Sequence, residues 1–258
     1  MVGRLKGHFE QWRQRDLSSE RYAILYLDGF HLKVRLARRV VSAPVLAVLG
    51  VRPDGQKVLV ALRLAVSEAA VHWQGLIESL VDRGLQAPEV LITDGHKGLA
   101  KAFQVWPEVD VPRCTYHKWS NLREHCPVHA RAELKRDWDA IVRAEDGNLA
   151  RAAYDAFVHK WSTLVPAVVR SLQEAGMDLL TFYQFPQPMW KTLRTTNVLE
   201  NLNREFRRRT KTQGSFSTEA AGVTLLWSLV AFGQIRMRRI DGHRFLSELM
   251  RDHGKQAA

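Results

Sequence analysis

Two acidic residues occupy matching positions in the chain, and their surroundings suit chemistry on a phosphodiester. Asp28 and Asp94 each follow a short apolar run and precede a glycine. If the two runs are neighbouring parallel strands, their carboxylates meet at one edge of the sheet. Like charges held that close are unfavourable unless cations neutralise them, and a pair of Mg²⁺ ions would do so while activating a phosphodiester. Asp-Gly after a strand is also ordinary turn chemistry, so spacing leaves both interpretations open.

Glu200 is the candidate third acid. With Asn197 it matches a capping box, and it could also pair with Arg204 one turn later; spacing alone favours these structural roles. The helix that contains it has a polar face rich in amides and cations, made by Asn197, Glu200, Asn201, Asn203, Arg204, Arg207, Arg208 and Lys211. A single acid among amides and cations is more typical of a metal ligand beside a phosphate backbone than of a helix face that only contacts solvent.

The charge of the chain favours a polyanionic partner. Its 258 residues include 38 Lys and Arg against 27 Asp and Glu, which gives a net charge of +11. The distribution is uneven: the net charge is +5 over residues 1–119, −1 over 120–188 and +5 over 189–215. The middle of the chain is therefore built differently from its flanks.

Composition excludes several classes of protein. The 46% hydrophobic and 25% charged residues are ordinary globular values, which argues against disorder and fibrous repeats. The longest uncharged stretch, Ala220–Ile235, is shorter than the roughly twenty apolar residues of a membrane span, so no membrane partner is expected. Two cysteines cannot form a disulfide framework, and the cytoplasm is the expected compartment.

The spacing of apolar residues predicts an α/β fold. Predicted strands are Tyr22–Leu27, Leu32–Leu36, Pro44–Val51, Lys57–Leu64, Val90–Thr93 and a short one near 109–112. One predicted helix begins after an N-cap at Ser67 and ends at Gly84, and another covers Gly95–Gln104. Most of residues 120–187 is predicted to be helical. The last two predicted helices are Asn197–Thr210, which Gly214 terminates, and Thr218–Met237. We expect a mixed sheet flanked by helices, formed by residues 1–119 and 189–258 and interrupted by an all-α insertion at 120–188.

Four blocks of the chain resemble the Mutator-type transposases of bacterial insertion sequences, a DDE family with a ribonuclease H-like catalytic core. They are Tyr26–Arg35, Ile92–Leu99, Arg113–Leu122 and Arg194–Arg209, of which the last is the most specific. The resemblance covers almost the whole chain. It implies that Asp28, Asp94 and Glu200 are the catalytic and metal-binding triad for two Mg²⁺ or Mn²⁺ ions, and that the helical block is the family's insertion. Gly29 and Gly95 stand where small residues such as alanine are expected.

Double-stranded DNA, both as transposon ends and as target, is the partner that the resemblance implies. Candidate DNA-binding residues are Trp190, Arg194, Asn197, Arg204, Arg207, Arg208, Arg209 and Lys211. The Trp190 ring could stack on an unstacked base; the alternative is that it packs in the hydrophobic core. We expect an active homodimer or larger assembly associated with the bacterial nucleoid.

Two Cys-His pairs have the internal spacing of zinc ligands. They are Cys114 with His117 and Cys126 with His129, and His125 lies near the second pair. The residues between the pairs are predicted to be helical, and the resemblance supports only the first pair, in a structural or DNA-proximal role. Zinc is therefore not expected, and His117 is predicted to be hydrogen-bonded near the acidic edge.

Together these patterns predict a DDE transposase core that cleaves DNA and transfers a strand, with water and then a DNA 3′-hydroxyl as nucleophiles. One rival is a ribonuclease H-like nuclease or resolvase that cleaves without joining. The other is a non-enzymatic DNA-binding remnant, against which the intact acids argue. Because only 27 residues precede Asp28, where the family has a helical DNA-binding region, we expect a core without its end-recognition module.

Overall fold

The computed structural model describes residues 2–36, 39–95, 103–211, 213 and 215–252. The strands within them are β1 (Ile24–Leu36), β2 (Arg39–Val51), β3 (Lys57–Leu64) and β4 (Val90–Thr93). The α-helices are α1 (Val2–Gln14), α2 (Ala70–Asp82), α3 (Thr115–His125), α4 (Arg131–Val142), α5 (Gly147–Leu164), α6 (Pro166–Ala175), α7 (Trp190–Leu193), α8 (Asn197–Thr210), α9 (Glu219–Ala231) and α10 (Leu246–Asp252). None of these helices is long and apolar enough to cross a bilayer.

The sheet is mixed and has the strand order β3-β2-β1-β4. β2 pairs antiparallel with both β1 and β3, and β1 pairs parallel with β4. The parallel register places Leu27 opposite Thr93, so the two predicted apolar runs are neighbours, as expected. Beyond β4, Asp110 and Arg113 form isolated parallel bridges with it where a short strand was predicted.

β1 is a single strand of 13 residues rather than the two predicted segments. It pairs with β2 along its whole length, because buried Phe30, Leu32 and Val34 continue the alternation beyond Asp28. The prediction that Asp28 ends a strand at a turn is therefore wrong. Asp28 lies within β1, one residue after the last pair that β1 makes with β4.

A hydrophobic layer covers each face of the sheet. On one face α2 packs with buried residues that include Leu25, Leu27 and Trp73. On the other face α8 and α9 pack on alternate residues of β1, among them Tyr26 and Phe30. α1 extends this second layer through Phe9 and Trp12, whose rings lie 5.7 and 6.0 Å from that of Trp227 on α9. The sheet therefore holds α8 against the face from which Asp28 points.

Residues 115–185 form helices and short 3₁₀ turns, with no strand in this fully described stretch. They have a hydrophobic core of their own, made by Leu122, Leu134, Trp138, Ile141, Val142, Tyr154, Phe157, Trp161, Val168, Leu172, Leu179 and their neighbours. The first helix, α3, begins at Thr115, earlier than the predicted boundary at 120. We call residues 115–185 the helical block; its status as an insertion stays a prediction.

Helix boundaries agree with the sequence patterns only in part. α8 spans the predicted residues, whereas α2 begins at Ala70 because Ser67 bonds the Ala69 N–H before the helix rather than capping it. α9 begins at Glu219, with Thr218 as its N-cap, where the predicted helix began at Thr218; it ends at Ala231 rather than Met237, ahead of Gly233 with φ +71°. The helix predicted over Gly95–Gln104 falls mainly on residues outside the described ranges, as does Gly214.

Candidate active site

Two neighbouring parallel strands bring the first two acids together. Asp28 follows Leu27 in β1 and Asp94 follows Thr93 at the end of β4, and Leu27 and Thr93 are register partners. Only 7% of Asp28 is exposed to solvent, whereas Asp94 is half-buried. The Thr93 hydroxyl accepts a hydrogen bond of 3.0 Å from the Gly95 N–H, which holds the turn that carries Asp94.

α8 brings Glu200 to the same place. Glu200 Oε1 lies 3.7 Å from Nε2 of His117, and one turn further along α8 the Asn203 amide donates to Asp28 Oδ2 at 3.4 Å. The capping-box prediction is wrong, because Thr196 is the N-cap and Asn197 is already the first helical residue. Glu200 is therefore one position too far along α8 to close the box, and its side chain faces His117.

The pKa of Asp28 reflects its burial and the charges around it. Burial raises its pKa from 3.8 to about 7, and the Asp94 and Glu200 carboxylates add to the rise, while His117 and the Gly29 N–H oppose it. Oδ1 of Asn203 is buried beside Asp28 and has no hydrogen-bond partner in the described part of the chain. A proton or a cation on Asp28 would reduce the cost of burying its charge and could satisfy the Asn203 oxygen.

His117 carries the complementary charge. A hydrogen bond with Cys114 is the largest cause that raises the pKa of His117 to about 9; burial opposes it, and the charges of Cys114, Asp28 and Asp94 raise the pKa further. His117 is thus protonated at neutral pH and lies between acids from the sheet and the acid from α8. Its positive charge partly neutralises them.

Cys114 and Thr196 join the sheet to the start of α8. Cys114 is 1% exposed, and its sulfur accepts a hydrogen bond of 3.4 Å from the Thr196 N–H. The Thr196 hydroxyl lies 3.4 Å from the same sulfur and 3.4 Å from His117 Nδ1. The Cys114 N–H donates to Thr93 O at 3.1 Å. We call Cys114, His117 and Thr196 the Cys-His clamp; Thr196 was missed in the sequence because nothing in its spacing marks a sulfur contact.

The second Cys-His pair is remote from this clamp. Cys114 precedes α3 and Cys126 follows it, so the two sulfurs are separated by a helix about 16 Å long. That separation is too large for one tetrahedral ion. Cys126 instead packs in the core of the helical block.

Close packing explains the glycine that follows Asp94. Gly95 has φ +83°, and a Cβ there would lie 2.1 Å from Nε of Arg113. Arg113 is held by Glu174 of the helical block at 3.2 Å. Even alanine would therefore strain this turn, which accounts for the departure from the expected small residue.

The predicted DNA-binding residues lie in different environments. Arg194 donates to Val142 O at 2.7 Å, and the Trp190 indole donates to Phe185 O at 2.7 Å and packs on Tyr183, with ring centroids 4.6 Å apart. On α8, Arg204 contacts Asn201, and Arg208 and Arg209 pair with Glu205. Asn197, Arg207 and Lys211 are exposed. A role in DNA binding stays a prediction for all of them.

The donor set at the acids is three carboxylates and a histidine. Among the described residues, no three His, Cys, Asp or Glu side chains stand close enough together to form a ready-made metal cluster. Carboxylate oxygens are nevertheless the ligands that Mg²⁺ and Mn²⁺ prefer, and Asp28 and Asp94 lie on adjacent strands.

Comparison with known proteins identifies the family. The family model described as "Transposase, Mutator family" matches residues 1–233. The chain belongs to the Mutator family of transposases. This confirms the resemblance inferred from the four sequence blocks.

Curated insertion-sequence transposases are about one-third identical to this chain over the aligned residues. The transposase for insertion sequence element IS6120 of Mycolicibacterium smegmatis is 35% identical over 88% of this chain and 70% of its own length. The transposase for IS905 of Lactococcus lactis subsp. lactis is 34% identical over 81% of this chain and 53% of its own length. The transposase for IS1081 of Mycobacterium tuberculosis is 31% identical over 95% of this chain and 59% of its own length. The chain thus spans between about half and 70% of these relatives. The Drosophila P element transposase strand transfer complex matches with a TM-score of 0.29 and 10% identity, covering 91% of this chain and 70% of its own.

Proposed function

We propose that this chain is the catalytic core of an insertion-sequence transposase of the DDE type, with a ribonuclease H-like fold. The observation that carries the proposal is the convergence of Asp28, Asp94 and Glu200 from β1, the end of β4 and the start of α8. An antiparallel β1-β2-β3 unit with β4 parallel to β1 supports the fold assignment. The curated relatives, all named as insertion-sequence transposases, support the activity.

The residues present fit a pair of divalent cations. Asp28, which is 7% exposed, has a pKa raised first by burial and then by the Asp94 and Glu200 carboxylates. Oδ1 of Asn203, which has no hydrogen-bond partner among the described residues, lies beside it. Asp28 and Asp94 would hold the ions, with Glu200 completing their coordination. When bound, Mg²⁺ or Mn²⁺ would activate the nucleophile and stabilise the leaving oxygen of a phosphodiester.

The chain's own residues would prepare this chemistry. Asp28 must lose its proton before it can bind a cation, and its folded-state pKa of about 7 makes that step sensitive to pH. The Cys-His clamp would keep Glu200 within reach of the acids on the sheet, because Thr196 directly precedes the helix that carries it. His117 would donate a hydrogen bond to Glu200 until a cation takes its place.

DNA would be bound through the basic side chains. The net charge of +11 favours a polyanion, and Arg207 and Lys211 extend from the helix that also carries Glu200. An active homodimer or larger assembly at the nucleoid is part of this proposal. The alternative, a nuclease that cleaves without joining, uses the same acids, so only a joining assay separates the two.

The test is cleavage and strand joining by a Glu200→Gln variant. A labelled duplex of the inverted-repeat end is incubated with target plasmid and Mg²⁺ or Mn²⁺. We expect wild type to cleave and join, and Glu200→Gln to lose both by about a thousandfold or more, because several kcal/mol of transition-state stabilisation disappear. Glu205→Gln is the matched control on the same helix, and it should stay active. Full activity of Glu200→Gln would refute the triad; cleavage without joining by wild type would favour the nuclease.

A further inference from the structure

The turn that carries Asp94 is contacted on both sides by the two residues that precede α3. On one side, Thr93 forms an isolated parallel bridge with Arg113 and accepts a hydrogen bond of 3.1 Å from the Cys114 N–H. On the other side, the Arg113 side chain lies so close to Gly95 that a Cβ there would be 2.1 Å from its Nε atom. The position of Arg113 therefore limits where the Asp94 backbone can lie.

The helical block holds Arg113 at this place. A terminal nitrogen of its guanidinium lies 3.2 Å from each carboxylate oxygen of Glu174, near the end of α6, and its backbone N–H donates to Asp178 O at 3.1 Å. Only 16% of the Arg113 side chain is exposed to solvent. Arg113 thus joins the helical block to the Asp94 turn.

Glu174 also binds a second cation of the same segment. Its Oε2 atom lies 2.6 Å from Nζ of Lys118, which is 3% exposed and also donates to Ser171 O at 2.8 Å. Arg113 and Lys118 stand on either side of residues 114–117, the part of the Cys-His clamp that precedes and begins α3. Among the described residues, no other acid pairs with either cation. One carboxylate therefore holds the start of α3 at two points.

We propose that Glu174 is a positioning residue for Asp94. It holds the Arg113 guanidinium on Gly95 and so keeps the Asp94 carboxylate at its place beyond the end of β4. The inference rests on the proposed function, since it takes Asp94 as a catalytic acid. It gives the helical block a part in the reaction, because the block fixes the geometry of an acid that belongs to the sheet.

Loss of the Glu174 carboxylate leaves two cations without their counter-charge. Arg113 has five N–H donors on a flexible stem, so its guanidinium turns towards solvent or other acceptors and no longer packs on Gly95. A glycine has more backbone conformations open to it than any other residue, so the turn at φ +83° then moves more freely. A displacement of about 1 Å at a catalytic group is enough to lower a rate by about a hundredfold.

Exchange of the Gly95 N–H with solvent measures the mobility of the turn without metal or DNA. This N–H donates to the Thr93 hydroxyl at 3.0 Å, so its exchange reports opening of the turn. The full chain is labelled with ¹⁵N-glycine and followed by NMR. Glu174→Ala should speed Gly95 exchange by about tenfold relative to wild type.

Asp137→Ala is the matched control. It also removes an acid from the helical block and lowers the stability of the fold, but the partners of Asp137 are Lys160 and Trp161, both within the block. Gly95 exchange in this variant should stay within about twofold of wild type where both proteins are folded. Equal acceleration in Glu174→Ala and Asp137→Ala would assign the effect to a general loss of stability and overturn the proposal.

Cleavage kinetics test whether the contact acts on the reaction. In Glu174→Ala, kcat should fall about tenfold with KM for DNA unchanged, because Glu174 positions an acid and does not bind the substrate. Glu174→Gln, which keeps one acceptor oxygen without the charge, should recover part of kcat. In an Arg113→Ala background, Glu174→Ala should lower kcat no further, since its route to Asp94 is already lost. Additive losses, or a wild-type kcat in Glu174→Ala, would overturn the proposal.

The two readouts separate this inference from the proposed function. A wild type that cleaves no DNA would refute the catalytic role of the acids, and Gly95 exchange would still report whether Glu174 fixes the turn. A wild type that cleaves, together with unchanged Gly95 exchange in folded Glu174→Ala, would overturn the positioning role and leave the chemistry intact. If alanine at this position prevents folding, Glu174→Gln takes its place in both measurements.

Discussion

Charges are arranged in opposite ways in the helical block and around the acids. In the block, acids and bases alternate and pair: Lys160 lies 2.7 Å from both Glu133 and Asp137, and Lys118 lies 2.6 Å from Glu174. Around the acids, carboxylates outnumber the cation beside them: Asp28 and Asp94 lie on adjacent strands and Glu200 on α8, with His117 next to Glu200. The cations of α8 follow further along.

This difference separates charged groups that stabilise the fold from a charged group that is buried at a cost to stability. Paired groups on helices contribute modestly to stability and need no partner from outside. Burial of a charged carboxylate lowers the stability of the folded chain, and neighbouring carboxylates lower it further; Asp28, with its pKa raised to about 7, is the clearest case. Neutralising an acid should therefore have opposite effects on stability in the two regions.

The largest effect is expected from Asp28→Asn. The folded-state pKa of Asp28 lies above its ordinary value of 3.8, so its proton stabilises the fold at low pH, and that stability is lost as pH rises from about 4 to about 7. At pH 8 without divalent ions, Asp28→Asn should raise the free energy of unfolding by on the order of 3 kcal/mol, while cleavage is lost. Chemical denaturation at pH 8 and pH 4.5 measures the change.

Wild type supplies the internal check on that result. Its stability without metal should fall between pH 4 and 7 because of Asp28. It should fall further towards pH 9, because the raised pKa of His117 adds stability that is complete below 6.5 and lost as pH passes about 9. The variant should lack the first decline. A flat profile in wild type would contradict the burial of a charged acid at this place.

Removal of an acid from the helical block should have the opposite sign. Asp137 accepts hydrogen bonds from Lys160 at 2.7 Å and from the fully buried Trp161 indole at 2.9 Å. Asp137→Ala leaves that indole N–H without a partner, which costs about 2 kcal/mol. Cleavage at a temperature where both proteins are folded should match wild type. A stabilised Asp137→Ala would break the contrast between the regions.

The Cys-His clamp should show a smaller effect with a distinct signature. Cys114→Ala removes the sulfur that accepts from the Thr196 N–H and should lower the free energy of unfolding by about 1 kcal/mol. Because Thr196 precedes the helix of Glu200, kcat for cleavage should fall about tenfold with KM for DNA unchanged. Cys114→Ser, which keeps an acceptor, should recover part of kcat. Equal kcat in wild type and Cys114→Ala would limit the clamp to a structural role.

The smallest effect is expected at an exposed pair in the block. Arg151 Nε lies 3.3 Å from Asp155 Oδ2, and both side chains are more than half exposed. Arg151→Ala should change the free energy of unfolding by less than about 0.5 kcal/mol and leave DNA binding unaltered. Weaker DNA binding by Arg151→Ala, with a shallower dependence on salt, would show that the block also binds DNA.

Local patterns predicted more of the site than of the strand that carries Asp28. The parallel pairing of two apolar runs and the bounds of α8 follow from side-chain periodicity, and both are confirmed. Asp28-Gly29 looks like a turn, but its partner in β2 keeps it extended, and that partner is distant in sequence. The contacts of Asn203 with Asp28 and of Thr196 with Cys114 join residues 175 and 82 positions apart, which periodicity cannot reveal.

The continuity of α8 limits how this segment can change in length. Glu200 and Arg207 share one strip of α8, and Lys211, the C-cap residue with helical φ and ψ, continues that strip. Substitution at an exposed position between them, such as Arg208, leaves their relative angles intact. One inserted or deleted residue between Glu200 and Arg207 would turn everything beyond it by about 100° and carry both cations off the strip that Glu200 occupies. The spacing within residues 200–211 is therefore less free to vary than most of the side chains it contains.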